Sequence, residues 1–131
     1  MRLPAEWERQ SGVQLTWPHN ETEWYELDKV LECYVDIART ILRFEPLMIV
    51  CRDIEEAKAD ITRVCSEKNW TLDVGRICFY EAPLNDTWAR DHGGISVYGD
   101  NGEKYLYDFV FNGWGLKFAS DLDNQLTREI F

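Results

Sequence analysis

The sequence predicts an α/β domain built from small mixed units. Two stretches with helical apolar spacing alternate with a wholly apolar run of five residues, Leu47-Met48-Ile49-Val50-Cys51. The second half turns to short alternating strands that close in a hairpin. The 131 residues are 45% hydrophobic and include six Trp and six Tyr, enough for one real core. Helix, strand, helix, strand and hairpin in that order suit a layered α/β arrangement rather than an all-helical or all-strand one.

Each element has its own warrant. Val13-Gln14-Leu15-Thr16-Trp17 alternates apolar and polar, as a short strand does, and Trp17-Pro18-His19 breaks it. Asn20 and Glu23 have the spacing of a helix cap and its box partner. Leu27, Val30, Leu31, Tyr34, Ile37, Ala38, Ile41 and Leu42 then recur at helical spacing, and Pro46 bars continuation. The run 47–51 reads as a strand covered on both faces. Asp53 and Glu56 form a second cap-and-box pair, and Ile54, Ala57, Ile61, Val64 and Cys65 make the stripe of a helix ending near Asn69. Thr71 to Val74, Ile77 to Tyr80 and Ile95 to Tyr98 read as strands. Gly99-Asp100-Asn101-Gly102 is a turn, and Tyr105 to Phe111 returns, so residues 94–111 predict a hairpin. From Asp121, the residues Leu122, Leu126, Ile130 and Phe131 open an apolar helical face at which the sequence stops, which predicts a cut chain. No linker or repeat divides residues 1–131 into separate domains.

Charge and cysteines narrow the function classes. The net charge of −10 disfavours nucleic acid and favours a small cationic ligand, although a merely solvated acidic surface has the same composition. Cys33, Cys51, Cys65 and Cys78 show no C-x-x-C spacing and no accompanying His cluster, so no metal site is expected. They read as buried free thiols of a reducing compartment. The N-terminal residues have no signal-like apolar stretch, and no run is long enough to span a membrane, so the expected location is the cytoplasm.

The candidate site is Asn85-Asp86-Thr87-Trp88-Ala89-Arg90-Asp91-His92-Gly93, a charged aromatic loop between two strands. A carboxylate holds a guanidinium by paired charge-assisted hydrogen bonds, and a Trp face packs along an alkyl stem or a cation. Asp91 and Trp88 therefore suit a ligand with a positive head and an apolar stem. The alternatives stay open at this level. Asp91 could pair with Arg90 or another internal Arg, Asp86 could cap a turn, and His92 beside an acid could be a satisfied hydrogen-bonding residue.

Four stretches carry a resemblance: Met1-Arg2-Leu3-Pro4-Ala5-Glu6-Trp7-Glu8, Leu15-Thr16-Trp17-Pro18-His19, the loop 85–93, and Phe111-Asn112-Gly113-Trp114-Gly115-Leu116-Lys117-Phe118. In this order they resemble the N-terminal part of the agmatine deiminase family, which includes bacterial-type peptidylarginine deiminases. The resemblance implies a partial α/β propeller (the pentein, or guanidine-modifying enzyme, fold) made of ββαβ-type modules, with the first one to two blades in residues 1–131. It makes these residues the N-terminal portion of a single catalytic domain. It implies hydrolysis of a guanidinium to a ureido group plus ammonia, foremost agmatine to N-carbamoylputrescine in putrescine biosynthesis, without a cofactor. Peptidylarginine or free-arginine deimination is the alternative. A truncated guanidine-binding or structural fragment is the alternative of another class. In the family a Cys attacks the guanidinium carbon, a His acts as general acid and base, and two carboxylates grip the guanidinium nitrogens. Asp91 matches the first carboxylate, in Trp-x-Arg-Asp, and Trp88 matches the aromatic along the substrate stem. Asp86, Arg90 and His92 are supporting candidates. The family's nucleophile and general-acid segments lie beyond residue 131, so no catalytic residue is assigned in this chain, and apolar faces left open predict association with itself or with the rest of the fold.

Overall fold

A computed structural model describes residues 1–22 and 24–131. Its centre is strand β2 (Leu47–Cys51), flanked by β1 (Val13–Thr16) and β3 (Ile77–Glu81) in the order β1-β2-β3, all parallel. The register sets Val13 beside Leu47 and Leu47 beside Ile77. Parallel neighbours need long crossovers, and α1 (Leu27–Ile41) and α2 (Ile54–Lys68) provide them. Both lie on one face of the sheet. Leu31, Val35 and Ala38 of α1 and Ala57, Ile61 and Val64 of α2 bury against Leu47, Ile49 and Ile77.

The opposite face is also covered. Val50 packs with Ala82, Leu84 and Leu126, and Met48, Tyr80 and Ile130 border them. Leu126 and Ile130 belong to α5 (Asp123–Ile130), and the Tyr80 hydroxyl donates to the Glu129 carbonyl at 2.8 Å. The expectation that β2 is covered on both faces is met. Between β3 and α5 run α3 (Ala89–His92), the antiparallel hairpin β4 (Ile95–Tyr98) and β5 (Lys104–Tyr107), and the turn α4 (Gly113–Leu116). Arg2 extends the hairpin by a two-way backbone pair with Tyr98 at 2.9 Å.

Several expectations need correction. Helix α1 begins at Leu27 with no side-chain cap at Glu26, so Asn20 is not its cap; residues 19–22 form a separate turn closed by Thr22 on the His19 carbonyl. The box partner Glu23 lies outside the described residues. Asp53 does cap α2, accepting from the Glu56 N–H at 2.9 Å, and Asn69 ends that helix at φ 54. The segment 71–74 is not a strand. Asp73 accepts from the Gly75 N–H at 3.0 Å, and the chain closes into a 3-10 turn, Val74–Arg76. Strand β5 stops at Tyr107 instead of reaching Phe111, because the Phe111 N–H and carbonyl are engaged by the Asn124 side chain at 2.7 and 2.9 Å. The four cysteines are unpaired, but only Cys51 is buried and Cys65 half-buried. Cys33 is exposed because it lies two residues, about 200° of helical turn, from the buried Leu31. Cys78 is exposed on the outer strand β3, on the side away from α1 and α2.

Both histidines are buried, His19 at 7% and His92 at 2% exposure. Burial lowers both imidazoles below the usual 6.5; Arg52 adds to this at His19, whereas Asp123, Asp86 and Asp91 oppose it at His92. The unfolded chain therefore binds protons more readily than the folded one. Their contribution to stability is complete above about pH 6.5 and is lost as pH falls through the lowered folded values. Urea denaturation should show a lower midpoint at pH 5 than at pH 7.5, with a smaller difference in His92→Gln; equal midpoints would contradict the burial. Leu126→Ala should cost about 2–5 kcal/mol by the same measurement, because it uncovers Val50 as well as losing its own burial.

Candidate functional site

Strand β3 feeds directly into the loop that carries the sequence's charged aromatic cluster. Leu84 anchors the start of this loop and is fully buried. The next two residues are held by one atom: Oδ1 of Asp123, at the start of α5, accepts from the Asn85 and Asp86 N–H groups at 2.9 and 3.0 Å. Asn85 returns a bond, its Oδ1 accepting from the Leu122 N–H at 3.3 Å. From α1, the Tyr34 hydroxyl donates to the Thr87 carbonyl at 3.2 Å. From the end of β2, Arg52 Nε donates to the Leu84 carbonyl at 2.8 Å.

Asp86 proves to be internal. Its Oδ1 accepts from the Trp88 N–H at 2.7 Å, closing a turn, and its Oδ2 accepts from Trp114 Nε1 at 2.9 Å. This is the turn-capping alternative, extended by a tie to α4. That tie has a cost. Trp114 and Leu116 sit at φ 60 and 65, the left-handed region that bulky side chains avoid by about 1–2 kcal/mol each. Asn112 offsets part of it by accepting from the Gly115 N–H at 2.9 Å. Gly113 is obligatory here, since a Cβ would lie 2.1 Å from the Phe118 carbonyl oxygen.

Trp88 and Asp91 sit on one helical turn, joined by the Asp91 N–H on the Trp88 carbonyl at 2.9 Å. Trp88 is the residue before the first helical one, at φ -84 and ψ 76, and Asp91 lies within the turn. Gly93 lets this turn close tightly, because a Cβ there would meet the Ala89 carbonyl oxygen at 2.6 Å. The Asp91 side chain is exposed and, among the described residues, makes no ion pair or hydrogen bond, so pairing with Arg90 is not seen. Arg90 is exposed as well. His92 points inward instead, its ring 6.4 Å from that of Phe111, with neither nitrogen hydrogen-bonded among the described residues.

Beside the loop lies a cavity of about 420 Å³. Its aromatic lining is Trp24, Trp88, Trp114 and Phe118, with the Trp24 and Trp88 rings 5.8 Å apart. Glu21, Asp86, Arg52 and His19 supply the polar lining. Arg52 is already engaged, pairing through Nη1 with Glu21 as well as holding Leu84. The structure thus brings Trp88 and Asp86 to the cavity wall and leaves Asp91, Arg90 and His92 out of the lining, Asp91 and Arg90 exposed and His92 buried. Sequence reasoning missed Trp24, Arg52 and Asp123. Trp114 stood within a quoted stretch without a role, and an Asp at a helix start gave no signal of full burial. Burial, with Glu81 and Asp53 nearby, pushes the Cys51 thiol up to about 11, which disfavours its thiolate.

The chain matches known proteins along nearly its whole length. Residues 2–131 fit the model of the Porphyromonas-type peptidyl-arginine deiminase family. The chain is 31% identical, over 137 aligned positions, to the agmatine deiminase of Pseudomonas aeruginosa, spanning 98% of this chain and 34% of that one. It is 34% identical to the agmatine deiminase of Pseudomonas syringae pv. syringae, with the same shares of each chain. Among solved structures, a provisionally named arginine deiminase from Porphyromonas gingivalis matches with a TM-score of 0.78 and 45% identity over 98% of this chain and 35% of that one. A cysteine-to-serine variant of C. jejuni agmatine deiminase with substrate bound matches with a TM-score of 0.80 and 27% identity over the same shares. The chain spans about a third of the length of these relatives. Its mixed α/β layers are accordingly part of a pentein, and the chain belongs to the Porphyromonas-type peptidyl-arginine deiminase family, of which it represents the N-terminal part.

Proposed function

We propose that this chain supplies the guanidinium-holding part of an enzyme that hydrolyses agmatine to N-carbamoylputrescine and ammonia, a step of cytoplasmic polyamine synthesis. The observation that supports the reading is an exposed Asp91 carboxylate that no cation engages among the described residues, on the same backbone turn as Trp88, which lines the cavity. Asp91 takes two guanidinium N–H groups and keeps the group cationic, which makes its carbon electrophilic. Trp88 lies along the alkyl stem. The attacking thiolate and the proton-transferring imidazole belong to the part of the relatives' length that this chain does not span. Residues 1–131 then form the N-terminal portion of one catalytic domain.

Arginine or peptidylarginine is the second reading, favoured by the 45% identity to a protein named as an arginine deiminase. The cavity lining supports agmatine. Its one Lys or Arg side chain, Arg52, already pairs through Nη1 with Glu21 and through Nε with the Leu84 carbonyl, which leaves only part of the guanidinium for an α-carboxylate.

Turnover by the complete protein, read as ureido product from agmatine, arginine and an arginyl peptide, tests this directly. Agmatine should give the highest kcat/KM, and Asp91→Asn should lower it about 100-fold or more, with Trp88→Leu acting mainly on KM. No product from any of the three substrates would end the enzymatic reading, and calorimetric binding of agmatine without turnover would put the non-catalytic one in its place. The apolar side chains of Val110, Leu116 and Phe131, 73–87% exposed, fit a surface that the rest of the domain covers. Residues 1–131 produced alone should therefore self-associate in light scattering, and a clean monomer at high concentration would count against that packing.

A further inference from the structure

Asp123 is 0% exposed, yet it stands at the first position of α5, where an Asp normally faces water or its own helix N–H groups. Its Oδ1 instead reaches across to the loop backbone at Asn85 and Asp86. Its Oδ2 is buried with no hydrogen-bond partner among the described residues, and so are both ring nitrogens of His92. A buried polar atom left unpaired costs stability. The two bonds that Oδ1 makes to the Asn85 and Asp86 N–H groups offset part of that cost, and an apolar residue would leave both N–H groups without this acceptor. Those bonds fix the residues immediately before the Trp88–Asp91 turn. They also set Asp86, whose two oxygens place the Trp88 N–H and the Trp114 indole. One buried oxygen thus sits at the head of a chain of contacts that ends at Trp88 and Trp114, two of the aromatic residues lining the cavity.

We propose that Asp123 is a positioning residue for guanidinium binding: by tying α5 to the Asn85 and Asp86 backbone it holds Trp88 and Asp91 at the separation the substrate requires. The inference rests on the reading that Trp88 and Asp91 take the guanidine substrate. A misplacement of about 1 Å at such a site is enough to cost about 100-fold.

The test compares Asp123→Ala, which removes the acceptor, with Asp123→Asn, which keeps one oxygen for the two N–H groups, in the complete protein. Asp123→Ala should raise KM for agmatine about tenfold or more with kcat changed less than about threefold, since the reacting groups lie elsewhere. Hydrogen exchange should accelerate at Asn85 and Asp86 and stay unchanged in α2. Asp123→Asn should bring KM and exchange back to within about threefold of wild type. Unchanged KM and unchanged loop exchange in Asp123→Ala would overturn the proposal. So would exchange that rises equally in α1, α2 and the loop, or an Asn variant no better than the Ala one. A wild-type protein that forms no ureido product would sink the enzymatic reading alone, and exchange at Asn85 and Asp86, with calorimetric binding of agmatine, would still decide the positioning role.

Discussion

Strand β2 has to hide both of its faces, and the arrangement of the other elements follows from that. Leu47, Ile49 and Cys51 point to one side, Met48 and Val50 to the other, and all but Met48 are fully buried. On the first side α1 and α2 are the crossovers that parallel strands require in any case. The second side has no crossover to cover it. The chain must leave the sheet, make the hairpin, and come back as α5 with Leu126 and Ile130 turned inward. This return brings residue 123 against the loop after β3. Burial of an apolar strand thereby delivers a polar side chain to the site.

The loop 85–93 depends on that delivery. Such a loop has few apolar contacts of its own and could not hold one conformation by packing. It is restrained from three directions by Asp123, Tyr34 and Arg52, and its far side is tied by Trp114 to a turn at positive φ. Backbone strain held in place by surrounding contacts is common where a ligand is positioned. The outcome is a division of labour between two nearby acids. Asp86 spends both oxygens on internal donors, whereas Asp91, five residues on, keeps its carboxylate exposed.

How far the sequence disclosed this varies with the range of the interaction. Local patterns were legible: the Asp53 cap, the end of α2 at Asn69, the apolar run of β2 and the turn at residues 99–102 all appear where spacing and turn chemistry put them. Patterns with a nearby competitor misled. Thr71 to Val74 alternates like a strand, but Asp73 satisfies the Gly75 N–H locally and the chain turns. Tyr105 to Phe111 alternates throughout, but Asn124 claims the Phe111 backbone. Cys33 is exposed although the sequence reads it as a buried thiol, because the sheet faces the side of α1 that carries Leu31, Val35 and Ala38.

For the site, the residue types near one another in the chain, Trp88 beside Asp91, marked the chemistry, and the four ordered stretches marked the family. Those are properties of short segments, and short segments are what a sequence states directly. It could not say that Asp86 is consumed internally, that His92 turns inward while Asp91 stays out, or that Trp24 converges on the loop from the N-terminal side and Trp114 and Asp123, 28 and 37 residues beyond Asp86, from the other. Those outcomes depend on which helix covers which face of β2, and that is a competition among distant surfaces for burial. The sequence by itself determined the helices, the apolar strand and the Trp-x-Arg-Asp motif, because local spacing encodes them. Only the tertiary structure decided which acids and aromatics are free to bind, because that depends on partners brought together by packing.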